Sequence, residues 1–359
     1  MIRVMVVDDS PLVRKIAGDI LRSDPAIEVV ATAATAEFAL NKLERDRPDV
    51  ITMDMEMPGM GGLAAIRRIM ARRPTPIIVL SAHARRGAEL TLQALEAGAA
   101  DFMLKPAASL SGGLDVVARE LVEKVKAASG IRLDRPSGPG EQEADRREPA
   151  RTLRPRADGH ERSAPQGAAE LVAIGTSTGG PVALKAVLGG LPGDFPLPIV
   201  IVQHMPPVFT RAFAERLNAT CALEVKEAEE GDALLPGRVL VAPGDRHLIV
   251  LRSPSRAALH QREPVCGHRP SVDVLMHSVA REFGGRAIGV IMTGMGRDGA
   301  DGIRALRRSG GTILAQDRES SVIYGMNREV IQNGDADAIL SVERIAGELL
   351  DRACLQATA

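Results

Sequence analysis

The sequence predicts an α/β protein of two domains, and three observations carry that prediction. Short apolar runs alternate with amphipathic stretches up to about Ala128, and the same alternation resumes at Ala169. Between them, residues 129–167 mix charge, Pro and Gly with few large apolar side chains. Such a stretch cannot bury enough surface to offset the cost of ordering the chain. The length of 359 residues suits two domains of about 150 residues with chain left over. The expected organisation is one domain over 1–128, a flexible linker over 129–167 and a larger domain over 168–359.

In the first domain, Ile2–Val7, Val29–Ala33, Val50–Met53, Ile77–Leu80 and Phe102–Leu104 read as buried strands. Leu12–Leu21, Ala36–Leu43, Leu63–Met70, Leu90–Ala97 and Leu114–Val125 place apolar residues at helical spacing. Strands and helices in strict alternation imply a parallel sheet covered on both faces, with ligands bound outside the carboxyl ends of its strands. In the second domain the expected strands are Leu171–Ile174, Ile199–Val202, Val239–Val241, Leu248–Leu251, Ala287–Met292 and Thr312–Ala315. The expected helices there include Val182–Leu188, Thr210–Leu217, Val272–Phe283 and Ile303–Arg308. This is a doubly wound, mostly parallel arrangement.

Composition excludes several classes of function. The 45 basic and 46 acidic residues give a net charge of -1, without the basic excess of a general nucleic-acid binder. Aromatics are 2% of the chain, with no Trp and one Tyr, so base-stacking platforms and membrane-interface belts lack their raw material. No apolar run approaches the roughly 18 residues that span a bilayer. The N-terminal MIRVMVVDDS sets a carboxylate pair where a signal peptide has its cleavage site. Cys221, Cys266 and Cys354 form no CxxC pair; the expectation is a reducing cytoplasm and no zinc.

The first concentration of chemistry lies at strand ends. Asp8 and Asp9 follow the first strand, Asp54 the third, Ser81 the fourth and Lys105 the fifth. A parallel sheet gathers all five at one edge. Three carboxylates there repel one another unless a cation is present, and a hard divalent ion such as Mg2+ suits oxygen ligands. A metal and a lysine together suit phosphoryl transfer onto a carboxylate. Residues 1–128 thus resemble a flavodoxin-like response-regulator receiver domain. The resemblance implies that Asp54 accepts the phosphoryl group, that Asp8 and Asp9 hold Mg2+ with it, that Ser81 and Phe102 are switch positions, and that Lys105 contacts the phosphoryl group.

The second concentration begins where Leu171–Ile174 runs into Gly175-Thr176-Ser177-Thr178-Gly179-Gly180 and Pro181. Small residues permit a sharp strand-to-helix turn, Pro suits the first helical turn, and G-x-S-x-G sets Ser177 where a nucleophile elbow carries its serine. A turn of this kind also binds phosphate at a helix N-terminus. Among the histidines, His204 follows the strand Ile199–Val202 and is the first choice for a base, His268 the second; His247 and His277 read as structural. Asp298, after Ala287–Met292, would orient the imidazole, with Asp273 and Asp317 as alternatives. This gives Ser177 as nucleophile, His204 as base then acid, Asp298 holding the tautomer, and Met295-Gly296 N–H groups as an oxyanion hole. The order Ser, His, Asp differs from the Ser, Asp, His of α/β-hydrolases. The rival reading is a dinucleotide site: Gly294-Met295-Gly296-Arg297-Asp298-Gly299 is a literal G-x-G-x-x-G, with Asp317 about 20 residues on. Spacing leaves the two open.

GTSTGG, QHMPP, HRPSVDVL and TGMGRDG, in this order after a receiver and a linker, resemble the chemotaxis-type protein-glutamate methylesterase (CheB) family over most of the chain. The resemblance implies a triad of Ser177, His204 and Asp298 and hydrolysis of γ-glutamyl methyl esters on the cytoplasmic helices of methyl-accepting chemoreceptors, with deamidation of receptor glutamines in many members. It implies a receiver that blocks the catalytic face until a sensor histidine kinase phosphorylates Asp54, and no cofactor in the hydrolase domain. Two departures stand out: the linker is long and rich in Arg and Pro, and Gly325-Met326-Asn327 stands where Gly-Met-Pro is expected. The expectation is a cytoplasmic, phosphorylation-gated serine hydrolase with a sensor kinase and chemoreceptors as partners, no nucleic acid and no membrane insertion. The alternatives are a phosphorelay-controlled NAD enzyme and a non-catalytic module that only binds receptors.

Overall fold

The computed structural model describes residues 1–81, 85–105, 114–131, 151–152 and 168–354. They belong to two compact units, 1–147 and 148–359. The first holds β1 (Ile2–Val7), β2 (Ile27–Ala33), β3 (Val50–Asp54), β4 (Ile77–Ser81) and β5 (Asp101–Leu104) in one sheet of order β2-β1-β3-β4-β5. Every pairing in it is parallel. The helices are α1 (Pro11–Arg22), α2 (Ala36–Asp46), α3 (Gly61–Arg72), α4 (Arg85–Glu96) and α5 (Leu114–Ala128). Their starts follow local chemistry. Ser10 caps α1 by accepting the Val13 N–H at 3.4 Å, with Pro11 in the first turn, and Thr35 caps α2 by accepting the Phe38 N–H at 3.3 Å. Every residue of β3 and β4 is buried, as befits a parallel sheet with helices on both faces. The strand order reverses between β1 and β3, and that switch point is where such sheets bind ligands.

The second unit is built on β6 (Arg151–Thr152), β7 (Leu171–Thr176), β8 (Ile199–Gln203), β9 (Glu224–Glu227), β10 (Arg238–Val241), β13 (Ala287–Ile291), β14 (Thr312–Gln316) and β15 (Ala338–Leu340). They run in the order β6-β15-β14-β13-β7-β8-β10-β9, parallel throughout except where β6 meets β15. Its helices are α6 (Gly180–Gly189), α7 (Phe209–Thr220), α8 (Val272–Glu282), α9 (Ala300–Arg308), α10 (Met326–Gln332) and α11 (Val342–Cys354). The order reverses at β7, which lies between β8 and β13. The ends of these three strands therefore face one crevice.

Three features of the second unit go beyond the expected elements. Leu248–Leu251 is a strand, but it does not join the main sheet. It lies in β11 (His247–Arg252), which pairs antiparallel with β12 (Ser255–His260) as a separate hairpin. Leu248, Val250 and Ala257 are buried, and the Val250 N–H reaches Ser278 Oγ of α8 at 3.1 Å. Second, β9, β12 and β15 escaped notice, because a mixed Glu-Val-Lys-Glu edge, a half-exposed strand with two small alanines and one leucine, and a three-residue strand carry little apolar pattern. Third, Arg151 and Thr152, inside the expected linker, pair with Ile339 and Ala338. Most of the remaining linker lies outside the described residues. No described helix is long and apolar enough to cross a membrane.

Ile303 of α9 is fully buried among Leu275, Met276 and Ile313. Ile303→Ala should destabilise the second unit by about 2–5 kcal/mol, read as a lowered midpoint in chemical denaturation.

Candidate functional site

In the first unit the parallel register brings the expected strand ends together. Val7 lies beside Met53, Asp54 beside Leu80, and Ser81 beside Leu104. Asp8 and Asp54 are buried, and each turns one oxygen to a local N–H: Ser10 at 2.9 Å and Glu56 at 3.0 Å. The other oxygens face the Lys105 ammonium, 3.1 Å from Asp8 Oδ2 and 2.7 Å from Asp54 Oδ2. One oxygen each of Asp8, Asp9 and Asp54 lies within 4.8 Å of the others. Burial pushes the Asp8 carboxyl up, the Ser10 N–H works against it, and repulsion from Asp54 adds to it. Burial opposes the charge of Lys105, but the two carboxylates raise its pKa on balance. Three crowded carboxylates with one lysine form an oxygen set that fits a hard divalent cation such as Mg2+. Ser81 is buried, donating to Gly87 O at 3.3 Å and accepting from Thr91 Oγ at 2.8 Å; the Phe102 side chain is buried.

In the second unit, Ser177 and His204 stand just beyond the paired ends of β7 and β8, where Thr176 lies beside Gln203. The His204 N–H donates to Thr176 O at 3.2 Å, and the Ser177 N–H to Thr293 O at 3.0 Å. His204 Nε2 lies 2.7 Å from Asp298 Oδ2, with both side chains almost wholly buried. Asp298 is held from behind by the start of α8. Its Oδ1 accepts from Ser271 Oγ at 2.8 Å and the Asp273 N–H at 3.1 Å, and its Oδ2 from the Val272 N–H at 2.8 Å. A carboxylate at a helix N-terminus meets both unpaired N–H groups and the positive end of the helix dipole. Burial works against the ionised form. The hydrogen bond and charge of His204, followed by the α8 N–H groups, outweigh it and bring the Asp298 pKa down to about 2. Asp298 is therefore ionised and acceptor-only, so His204 Nε2 carries the proton between them. Nδ1 is buried and without a hydrogen-bond partner.

Other residues settle into supporting places. The His268 ring stacks on His204 with centroids 3.8 Å apart and planes 14° apart. It is presented by a tight turn in which Val265 and His268 exchange backbone hydrogen bonds and Cys266 and Gly267 take positive φ. His247 accepts the Ser271 N–H at Nδ1 and faces Glu263 O with Nε2. Asp273 binds the Gly302 N–H at 2.7 Å and Asp317 binds Ser320, so neither alternative orienter faces the imidazole. Cys266, Asp273 and Asp298 bring ligand atoms within 4.8 Å of one another, but the Asp298 oxygens are already engaged by their donors. Asn327 donates to Gln316 O and to Ser321 Oγ, both at 2.8 Å. A proline there would offer no donor, so this departure exchanges a rigid ring for a side-chain tie on the loop after β14.

The glycine pattern of 294–299 acquires a packing reason. A Cβ at Gly294 would lie 2.9 Å from Ser177 Cβ and 2.3 Å from Met326 Sδ. The Asp298 side chain is buried within the same loop, in place of the open cradle a pyrophosphate needs. The N–H groups of Met295 and Gly296 meet no acceptor among the described residues. Sequence reasoning missed Ser271 and Gln203. Ser271 was detectable as a capping residue before an apolar helical run; Gln203 read only as the end of a buried strand.

Ionised Asp298 stabilises the fold above its ordinary value of 3.8, and that contribution is lost as pH falls from there through about 2. The stability gap between wild type and Asp298→Asn, measured by denaturant midpoints against pH, should shrink across that window.

The response regulator receiver domain profile matches residues 4–111, and the CheB methylesterase profile matches residues 172–349. Protein-glutamate methylesterase/protein-glutamine glutaminase 2 of Koribacter versatilis is 46% identical over 357 residues, covering 99% of this chain and 97% of that protein. Protein-glutamate methylesterase/protein-glutamine glutaminase 5 of Anaeromyxobacter dehalogenans is 48% identical over 353 residues, covering 97% and 96%. The crystal structure of the Thermotoga maritima CheB methylesterase catalytic domain is similar with a TM-score of 0.50 at 41% identity, covering 51% of this chain and 98% of that one. The chain belongs to the CheB methylesterase family, with a response regulator receiver domain ahead of its methylesterase domain.

Proposed function

We propose that this protein is a phosphorylation-controlled serine hydrolase that acts on γ-glutamyl methyl esters, and on the corresponding glutamine amides, of chemoreceptor helices. The observation that carries the reading is the His204–Asp298 pair at 2.7 Å, with Nδ1 left without a hydrogen-bond partner, on a residue that follows the strand paired with the one leading into Ser177. Full-length relatives named for both activities support the substrate. We take residues 1–128 as the receiver, 129–167 as the linker and 168–359 as the catalytic domain.

The proposed chemistry follows from where the proton can go. Ser177 Oγ attacks the ester carbonyl carbon while His204 Nδ1 takes its proton. The oxyanion develops toward the N–H groups of Met295 and Gly296. The resulting imidazolium, held by ionised Asp298, returns the proton to the departing methoxide, releasing methanol. Water then repeats the steps on the acyl-enzyme, leaving a glutamate. With an amide the leaving group is ammonia and the residue assignments are the same. In the receiver, Asp54 would accept a phosphoryl group from a sensor histidine kinase. Asp8, Asp9 and Asp54 would hold Mg2+, which would neutralise charge on the phosphoryl oxygens. Lys105 would pair with the phosphoryl group in place of the bare carboxylate, and Ser81 and Phe102 would report the change.

Ser177→Ala should lower methanol release from methylated receptor by roughly 10,000-fold or more while leaving the unfolding transition in place. Wild-type hydrolysis should fall on acidification, because a protonated imidazole cannot accept the serine proton; a rate unchanged from about pH 8 to about pH 5 would remove His204 as base. Asp54→Asn should leave basal release low and unresponsive to an acyl-phosphate donor, and normal stimulation of that variant would refute Asp54 as the acceptor.

A further inference from the structure

We propose that Gln203 is a positioning residue that holds the backbones of Ser177 and His204 at their working separation; the inference rests on the serine-hydrolase reading above. Gln203 closes β8 and is 2% exposed. Its side-chain Nε2 donates to Ser177 O at 2.9 Å and to His204 O at 3.0 Å. One amide group thus spends both N–H bonds on the carbonyls of the nucleophile and the base. Since both partners are acceptors, the amide orientation is settled by the network: a flip would set oxygen against two oxygens.

The position of the bridge explains why it is needed. Up to Thr176 and Gln203 the two strands are tied by the sheet ladder. Beyond it β7 turns into α6, and β8 runs into Met205-Pro206-Pro207, whose prolines have no N–H to donate. The amide crosses the gap where the strands part. Its surroundings are shaped to admit it. A Cβ at Gly180 would lie 2.0 Å from Gln203 Oε1 and 2.5 Å from Thr176 Oγ, so a larger residue at the start of α6 would displace the amide. Meanwhile Gln203 Oε1 is buried without a hydrogen-bond partner. A buried acceptor left unmade is costly, and the side chain nevertheless stays where its two donors are used. No bond from Gln203 to substrate is required; it acts through the two residues it ties.

The test uses the full-length protein with Gln203→Met, apolar and of similar length, and Gln203→Glu, isosteric but without the amide donors. Three quantities are compared with wild type: kcat and KM for methanol release, the labelling rate of Ser177 by a fluorophosphonate, and the thermal unfolding midpoint. Loosening the pair should lower kcat and the labelling rate together, by on the order of 100-fold, with KM unchanged in a variant that still unfolds cooperatively. A folded variant with wild-type kcat and labelling, or a loss confined to KM, overturns the proposal. Failure of both variants to fold also overturns it, since Gln203 would then be a core residue of the sheet. Wild-type protein unlabelled at Ser177 would instead bring down the hydrolase reading, and this inference with it, before any Gln203 variant is measured.

Discussion

The geometry of the hydrolase site depends on a carboxylate seated against the first turn of a helix. Asp298 receives a hydroxyl from Ser271 and two N–H groups from α8, and its remaining approach is taken by His204. Donors in this number hold the group ionised inside the protein, where burial alone would favour the neutral acid. An ionised Asp298 permits only one assignment of the imidazole proton toward it. The orientation of the His204 imidazole is therefore a consequence of where α8 begins. That start is itself supported: the Ser271 N–H is taken by His247, a buried histidine whose pKa is lowered chiefly by desolvation. Helix α8 thus belongs to the chemistry although its role is to hold a residue from another loop.

The two units solve opposite charge problems with the same architecture. Each gathers polar side chains at the carboxyl ends of parallel strands beside a reversal of strand order. In the receiver the carboxylates outnumber their compensating charge: Asp8, Asp9 and Asp54 crowd together against one lysine. That leaves a site poised for a cation and for a transferred anionic group. In the hydrolase unit the Asp298 carboxylate is fully satisfied by its donors, and Nδ1 of His204 is a buried atom without a hydrogen-bond partner. One arrangement suits acquiring charge, the other suits passing a proton.

The glycine-rich stretch at 294–299 shows how one local pattern serves two kinds of site. Its glycines meet the dinucleotide pattern, yet Gly294 is required because the loop closes against Ser177 and Met326. The difference lies in Asp298, whose side chain fills the loop from within. Similarly, His268 matched the requirements for a base by residue type, and became a stacking partner because the turn at Cys266-Gly267 aims its ring at the face of His204. In both cases the residue types were legible and their partners were not.

Apolar runs by themselves determined most strands of both sheets, since burial on two faces demands uninterrupted hydrophobic residues, and the residues ending those runs supplied Asp8, Asp54, Lys105, Ser177, His204 and Asp298. Edge strands such as β9 and β15 carry weaker demands and were invisible for that reason. Only the tertiary structure decided which imidazole nitrogen faces Asp298, which histidine stacks, that Leu248–Leu251 stands apart from the main sheet, and that Gln203 bridges the backbones of Ser177 and His204. These are contacts between residues as far apart as 94 positions in the chain. Strand-end chemistry is written in local order, whereas the direction of a hydrogen bond is set by whatever the fold brings to its other end.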